Sequence, residues 1–74
     1  FLGAKAGIPD VMIFSPNKEF NGLAIELKVG YNKPSDNQKK WLKDLKNSGW
    51  HTTWSNDIES VYKLIDNYFN DEQI

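Results

Sequence analysis

The chain has no cysteine and no arginine, and a single histidine in 74 residues. Without cysteine there is no disulfide framework, no thiolate nucleophile and no thiolate zinc site. One imidazole, His51, leaves a His-rich metal cage or a Ser-His-Asp triad little to rest on. No apolar run approaches the ~20 residues that cross a bilayer, and no signal-peptide pattern opens the chain. The expectation is a soluble, intracellular domain. The length allows one domain over residues 1–74. A domain of this size buries only roughly 60% of the surface its unfolded chain exposes. A partner subunit is therefore an expected source of added stability. Residue 1 is Phe rather than Met, which points to a fragment or trimmed domain.

What is present is unevenly distributed. The net charge of −1 averages a basic middle and an acidic end. Residues 28–46 carry six Lys against two Asp, whereas residues 57–74 carry five carboxylates against Lys63. Such a gradient offers one phosphate-facing surface. The plainer alternative is that Lys39, Lys40, Lys43 and Lys46 solvate the outer face of a helix.

Local patterns give the order β-β-α-β-α. Val11-Met12-Ile13-Phe14 reads as a short buried strand, followed by a turn-rich stretch from Ser15 to Gly22. Leu23–Val29 alternates as a second strand, with Ile25, Leu27 and Val29 on one face and Ala24, Glu26 and Lys28 on the other. The two strands most simply pair as an antiparallel hairpin. Ser35 and Gln38 form a capping box that starts a helix. Trp41, Leu42 and Leu45 give it an apolar stripe, and Gly49 stops it. Trp50–Trp54 is rich in aromatic and β-branched residues, as strands are. Asn56 and Glu59 make a second capping box ahead of Ile58, Val61, Tyr62, Ile65, Tyr68 and Phe69 at helical spacing. Helices following strands imply an α/β fold with a mixed sheet and helical cover.

The second strand carries two charges on one face, Glu26 and Lys28. They read either as a solvated edge guarding against aggregation or as part of a site. Asp10 favours the site. It opens the neighbouring strand, so a hairpin brings it near Glu26, and two carboxylates with a backbone carbonyl and water suit Mg²⁺ or Mn²⁺. Lys28 beside them would orient a water or offset charge on a phosphate. That is an inventory for metal-assisted phosphodiester hydrolysis.

Gly7-Ile8-Pro9-Asp10, Glu26-Leu27-Lys28 and Gln38 with Trp41 downstream resemble the VRR-NUC family of the PD-(D/E)XK nuclease superfamily. Pro9-Asp10 matches its PD element, and Glu26-Leu27-Lys28 its (D/E)XK element. The resemblance runs from about Gly3 to Phe69 and implies a restriction-endonuclease-like core. The family's N-terminal helix, with a further acidic ligand, and most of its first strand would be missing or truncated here. The resemblance implies Asp10 and Glu26 as metal ligands, Leu27 as a ligand through its carbonyl, and Lys28 as the catalytic lysine. Gln38 would be an auxiliary site residue, although its place in the capping box is a competing role. Small stand-alone relatives of this type are phage and viral homodimers acting on branched DNA such as Holliday junctions. Trp50, Trp54, Tyr62 and Phe69 are core residues on the plain reading and dimer anchors on the other. Lys5 and Lys33 flank the site on loops and are expected to contact DNA. His51 is expected on a polar face, without a catalytic role.

The leading expectation is a divalent-metal-dependent DNA endonuclease for branched or flapped DNA. The alternatives are a catalytically inactive module that retains the fold to bind structured DNA, and a structural domain in which Asp10, Glu26 and Lys28 merely pair.

Overall fold

In a computed structural model of the chain, residues 7–74 are described. Strand β1 spans Val11–Ile13, β2 Leu23–Leu27, helix α1 Asp36–Asn47, β3 His51–Ser55 and α2 Ile58–Phe69. The sheet order is β1-β2-β3. Strands β1 and β2 pair antiparallel, with Val11 opposite Ile25 and Ile13 opposite Leu23. Strands β2 and β3 pair parallel, with Leu23 opposite His51 and Glu26 opposite Trp54. A parallel pair needs a crossover rather than a tight turn, and α1 supplies it. The expected order of elements, the hairpin and the mixed sheet are all present.

The central strand is covered on both sides. Leu23 and Ile25 are fully buried against Val61 and Tyr68 of α2, with Val11, Ile13, Leu64 and Ile65 packed around them. On the opposite face lie Ala24 and Glu26, and a side-chain bond from α1 to Glu26 shows which helix covers them. Burial of an aliphatic side chain such as Ile25 contributes roughly 1.5–3 kcal/mol. Tyr68 is buried too, and its hydroxyl donates to the carbonyl of Ser15 at 2.7 Å, so its polar tip is satisfied.

Helix α1 begins as its sequence dictates. The Ser35 hydroxyl accepts from the Gln38 amide and the Gln38 side chain accepts from the Ser35 amide, completing the capping box. It ends at Ser48, where the amides of Gly49 and Trp50 donate to the carbonyls of Lys46 and Leu45. This is a Schellman closure, and Gly49 takes the positive φ of 89° that it requires.

Several expectations are corrected. Phe14 is not part of a buried strand; it follows β1, is 71% exposed and meets the Trp50 ring edge-on at 5.3 Å. Strand β2 ends at Leu27, so Leu27 and Val29 extend beyond the cover of α2 and are exposed, Val29 at 80%. The inward-outward alternation expected for residues 23–29 fails because both faces of β2 are packed. Strand β3 starts and ends one residue later than expected. The cap of α2 is Asp57, which accepts from the Glu59 amide. Asn56 instead donates its side-chain amide to the carbonyl of Gly30 at 2.7 Å. The buried face of α2 is Val61, Leu64, Ile65 and Tyr68, whereas Ile58, Tyr62 and Phe69 face outward. No helix among the described residues is long and apolar enough to cross a membrane.

Gly22 marks the tightest backbone approach in the core. A Cβ there would lie 2.5–2.6 Å from three atoms of the Trp50 indole. Gly22→Ala is therefore expected to cost about 1–3 kcal/mol by overpacking, read as a lower urea midpoint with an unchanged m-value.

Candidate active site

The antiparallel register decides where the first carboxylate falls. With Val11 opposite Ile25, Asp10 at the mouth of β1 sits beside the end of β2. Its Oδ2 accepts from the backbone amide of Leu27 at 2.9 Å. The preceding segment reaches this position by passing against the first turn of α1. A Cβ on Gly7 would lie 2.6 Å from the carbonyl carbon of Asn37, and the φ of Gly7 is +88°. Only glycine combines that dihedral with that approach. Pro9 is buried and anchors the segment, leaving the Asp10 side chain exposed.

Glu26 is the opposite case. It is the one buried charged residue among those described, at 3% exposure. Its Oε2 accepts from the Gln38 side-chain amide at 2.7 Å and lies 3.5 Å from Lys28 Nζ. The orientation of that amide is not free. Gln38 Oε1 is engaged by the Ser35 amide at 2.8 Å, which leaves the NH₂ end to turn toward Glu26. Capping box and site contact are thus one arrangement, and Gln38 serves both. Glu26 Oε1 is buried with no hydrogen-bond partner. Burial, first, and the nearby negative charge of Asp10, second, push the Glu26 carboxyl above its ordinary value, with Lys28 opposing.

The donor set fits a hard divalent cation. Leaving a carboxylate oxygen buried and unpaired is costly, and a cation there would provide its missing partner. Asp10 and Glu26 offer only oxygen ligands, as Mg²⁺ and Mn²⁺ prefer. No cluster of three or more His, Cys, Asp or Glu occurs among the described residues. Among the described residues the cluster holds two carboxylates, Asp10 and Glu26, and further oxygen donors would complete the shell. Lys28, half-buried along its stem, sets a positive charge beside the same oxygens.

Asp10, Glu26, Lys28 and Gln38 are brought together in this cluster, and Leu27 joins it through its amide. Lys33 is exposed in the 30–34 loop, outside the hydrogen-bonded group. Lys5 lies outside the described residues. His51 is not on a polar face: its ring packs against Phe20 at 5.1 Å. Burial and Lys46 hold it below its usual pKa, with Glu19 opposing. Two contributors escape a reading of the sequence for chemistry. The Leu27 amide has no side-chain signal at all. Ser35 was visible only as a helix cap, although the spacing Ser-x-x-Gln also fixes which end of Gln38 faces the site.

A mixed sheet with Asp10 at the mouth of β1, Glu26 on the paired β2, Lys28 just beyond it and a covering helix accords with a nuclease-type fold. Residues 1–56 match the VRR-NUC domain. The chain belongs to the VRR-NUC family. It is similar to a solved structure described as a VRR_NUC domain protein, with 29% identity and a TM-score of 0.84. That match covers 96% of this chain and 59% of the solved one, so the chain spans little more than half of that protein. A search of curated proteins finds no match. Nucleases of this family generally depend on divalent metal.

The raised pKa of Glu26 has a defined sign. Its protonated form is favoured in the fold, so its contribution to stability is fully present below the unfolded-state value and is lost as pH rises through the folded-state value. In chelator, Glu26→Gln is expected to be more stable than wild type at neutral pH. The difference should vanish on acidification, as measured by urea unfolding across pH.

Proposed function

We propose that the chain is a Mg²⁺- or Mn²⁺-dependent DNA endonuclease domain, single over residues 1–74, that hydrolyses phosphodiester bonds in branched DNA such as Holliday junctions or flaps. The observation that carries the reading is the Glu26 carboxylate: buried, aimed by Gln38, and left with one oxygen unpaired next to the exposed carboxylate of Asp10. A fold does not hold such a group for its own stability.

In this reading Asp10, Glu26 and the Leu27 carbonyl hold the cation, which supplies Lewis acidity and lowers the pKa of water. Lys28 orients the attacking water and offsets negative charge developing on the phosphate oxygens. Gln38 is a positioning residue: it fixes Glu26 and accepts its own orientation from Ser35. Water would add to phosphorus as it gives up a proton to solvent, the P–O bond to the leaving nucleotide would break, and the released oxygen would take up a proton from solvent water. Lys33 stands on the loop beside this centre, where a DNA backbone would pass, and Lys5 is assigned to the same contact. A DNA substrate accords with an intracellular location.

The homodimer of this reading has a surface to use. Ile58, Tyr62 and Phe69 fall on one side of α2, flanking its buried face. Ile58, Tyr62 and Phe69 are exposed, Tyr62 at 67%. A second copy paired across this side would bury it and set two sites in two-fold relation, as the cutting of two strands requires. Trp50 lies away from this surface, its indole packed over Gly22. Tyr62→Asp is expected to give a monomer by light scattering where wild type is a dimer; a monomeric wild type would remove this part of the reading.

The test of activity is a labelled four-way junction, a flap and a linear duplex, each with Mg²⁺, Mn²⁺ or EDTA. Metal-dependent cutting is expected, falling at least ~100-fold in Asp10→Ala, Glu26→Ala or Lys28→Ala. Independently of activity, Mn²⁺ at a hundred times its Kd should stabilise wild type by about 2.7 kcal/mol and leave Glu26→Ala unmoved. Junction binding without cutting or metal stabilisation would instead establish the inactive binding module.

A further inference from the structure

We propose that a cavity at the far end of β3 from the carboxylates receives an unstacked nucleobase of the DNA substrate. The proposal rests on the nuclease reading above and narrows its substrate to DNA with an unpaired nucleotide a short, fixed distance from the cleaved bond.

The cavity measures about 380 Å³, is open to solvent on one side and is lined by Phe20, Trp50, His51 and Thr52, with the exposed Glu19 and Lys46 also lining it. That volume lies within the range of small-molecule pockets. Its composition matches the two demands of a base: a π-face to stack on, and donors and acceptors for its edge. Lys46 is a donor and Glu19 an acceptor. His51 is held below its usual pKa by burial and by Lys46, so its neutral ring offers one of each. The walls are fixed in advance. Trp50 is wedged over Gly22 and touches Phe14 edge-on, and Phe20 meets His51 at 5.1 Å. A site that needs no rearrangement loses little affinity to ordering.

Its distance from the reacting centre follows from the register. His51 pairs with Leu23 and Trp54 with Glu26, so the cavity lies three residues along the sheet from Glu26, or about 10 Å; His51 shares the α2 face with Leu23, while Thr52, opposite Ala24, and Lys46 of α1 carry the cavity's lining round to the face of Glu26. Helix α1 runs over the same interval. Gln38 at its start touches Glu26, and Lys46 at its end lines the cavity, a rise of about 12 Å. Lys39, Lys43 and Lys46 recur at i, i+4 and i+7, which places them on one flank of α1. All three are exposed. This row of cations bridges the carboxylates and the aromatic cavity, and about three nucleotides of a stacked strand match its length. Phosphates would follow the lysines while one base turns into the cavity. A base within a duplex cannot enter without being flipped, which costs a few kcal/mol. An already unpaired base enters without that cost, and so the cavity selects for flaps, tails and other DNA with unpaired nucleotides.

The experiment is an abasic scan on wild-type protein. Duplexes with a single-stranded tail carry one abasic site at each of eight successive tail positions, and affinity is read by anisotropy in EDTA, where no cutting occurs. One position, or two adjacent ones, should bind about 10-fold more weakly than the rest, the lower part of the range for loss of a stacked base. In Lys46→Gln combined with His51→Ala, the loss at that position should shrink, since the partners for the base edge and one stacking ring are gone while Phe20 and Trp50 remain. Melting curves establish that this variant folds; Lys46→Gln alone, on an exposed side chain, should shrink the loss to a smaller degree and serves if it does not. A flat scan in wild type overturns the proposal, as does a position-specific loss of undiminished size in the variant. Because binding is read without metal, a flat scan alongside intact Mn²⁺-dependent cutting would remove the cavity's role and leave the nuclease reading standing. Failure to bind any tailed duplex in EDTA would remove the cavity's role, and the nuclease reading falls with it only if cutting is also absent in Mg²⁺ and Mn²⁺.

Discussion

The structure turns on a carboxylate placed where a folded chain gains least from it. Glu26 occupies the middle of the central strand, between two helices, in a position an aliphatic residue would fill at a profit to stability. Burying an ion costs several kcal/mol even after relaxation, and the chain meets that cost only in part. Gln38 and Lys28 engage one oxygen, and the other stays bare. Much of the local architecture serves this one group. The capping box aims Gln38, the Schellman closure and Gly49 send the chain back for a parallel third strand, and Gly7 clears the way for Asp10.

Coupling helix initiation to side-chain orientation is economical. A free glutamine has three rotatable side-chain bonds and two nearly equivalent ends. Bonding Oε1 to the backbone of Ser35 removes most of that freedom before Glu26 is met. The contact to Glu26 is therefore made by a group already ordered for another reason, and its entropic cost falls on the helix cap.

Local signals were legible in the sequence and tertiary ones were not. The hairpin, the order of elements, the Ser35–Gln38 box and the Gly49 stop each depend on residues within a few positions of one another. The burial of Glu26 does not. Its neighbours Ile25 and Leu27 mark a core face by alternation, so Glu26 reads as the solvent face unless one knows that α1 folds back over it. The exposure of Leu27 and Val29 has the same origin, since β2 outruns the helix that covers it. At α2, Asn56 and Asp57 are both competent caps; Asn56 is drawn off by the Gly30 carbonyl, a partner 26 positions away. In the candidate site, Asp10, Glu26 and Lys28 were visible as a set because strand pairing is a strong constraint. The Leu27 amide that holds Asp10 belongs to the backbone and leaves no trace in residue type.

The last helix has a consequence for synthesis. Half of the buried cluster, Val61 and Tyr68, belongs to α2, and three bonds tie its end to the β1–β2 connection: Tyr68 Oη to Ser15, Asn17 to the Tyr68 carbonyl, and the Lys18 amide to Asp71. A nascent chain thus cannot close this core until α2 has left the ribosome. Asp10, Glu26, Lys28 and Gln38 are all translated before that moment. Segments that stop short of α2 carry all four side chains without half of the buried cluster that holds the sheet beneath them, so the site is assembled from the C-terminal side of the fold although its residues lie toward the other end.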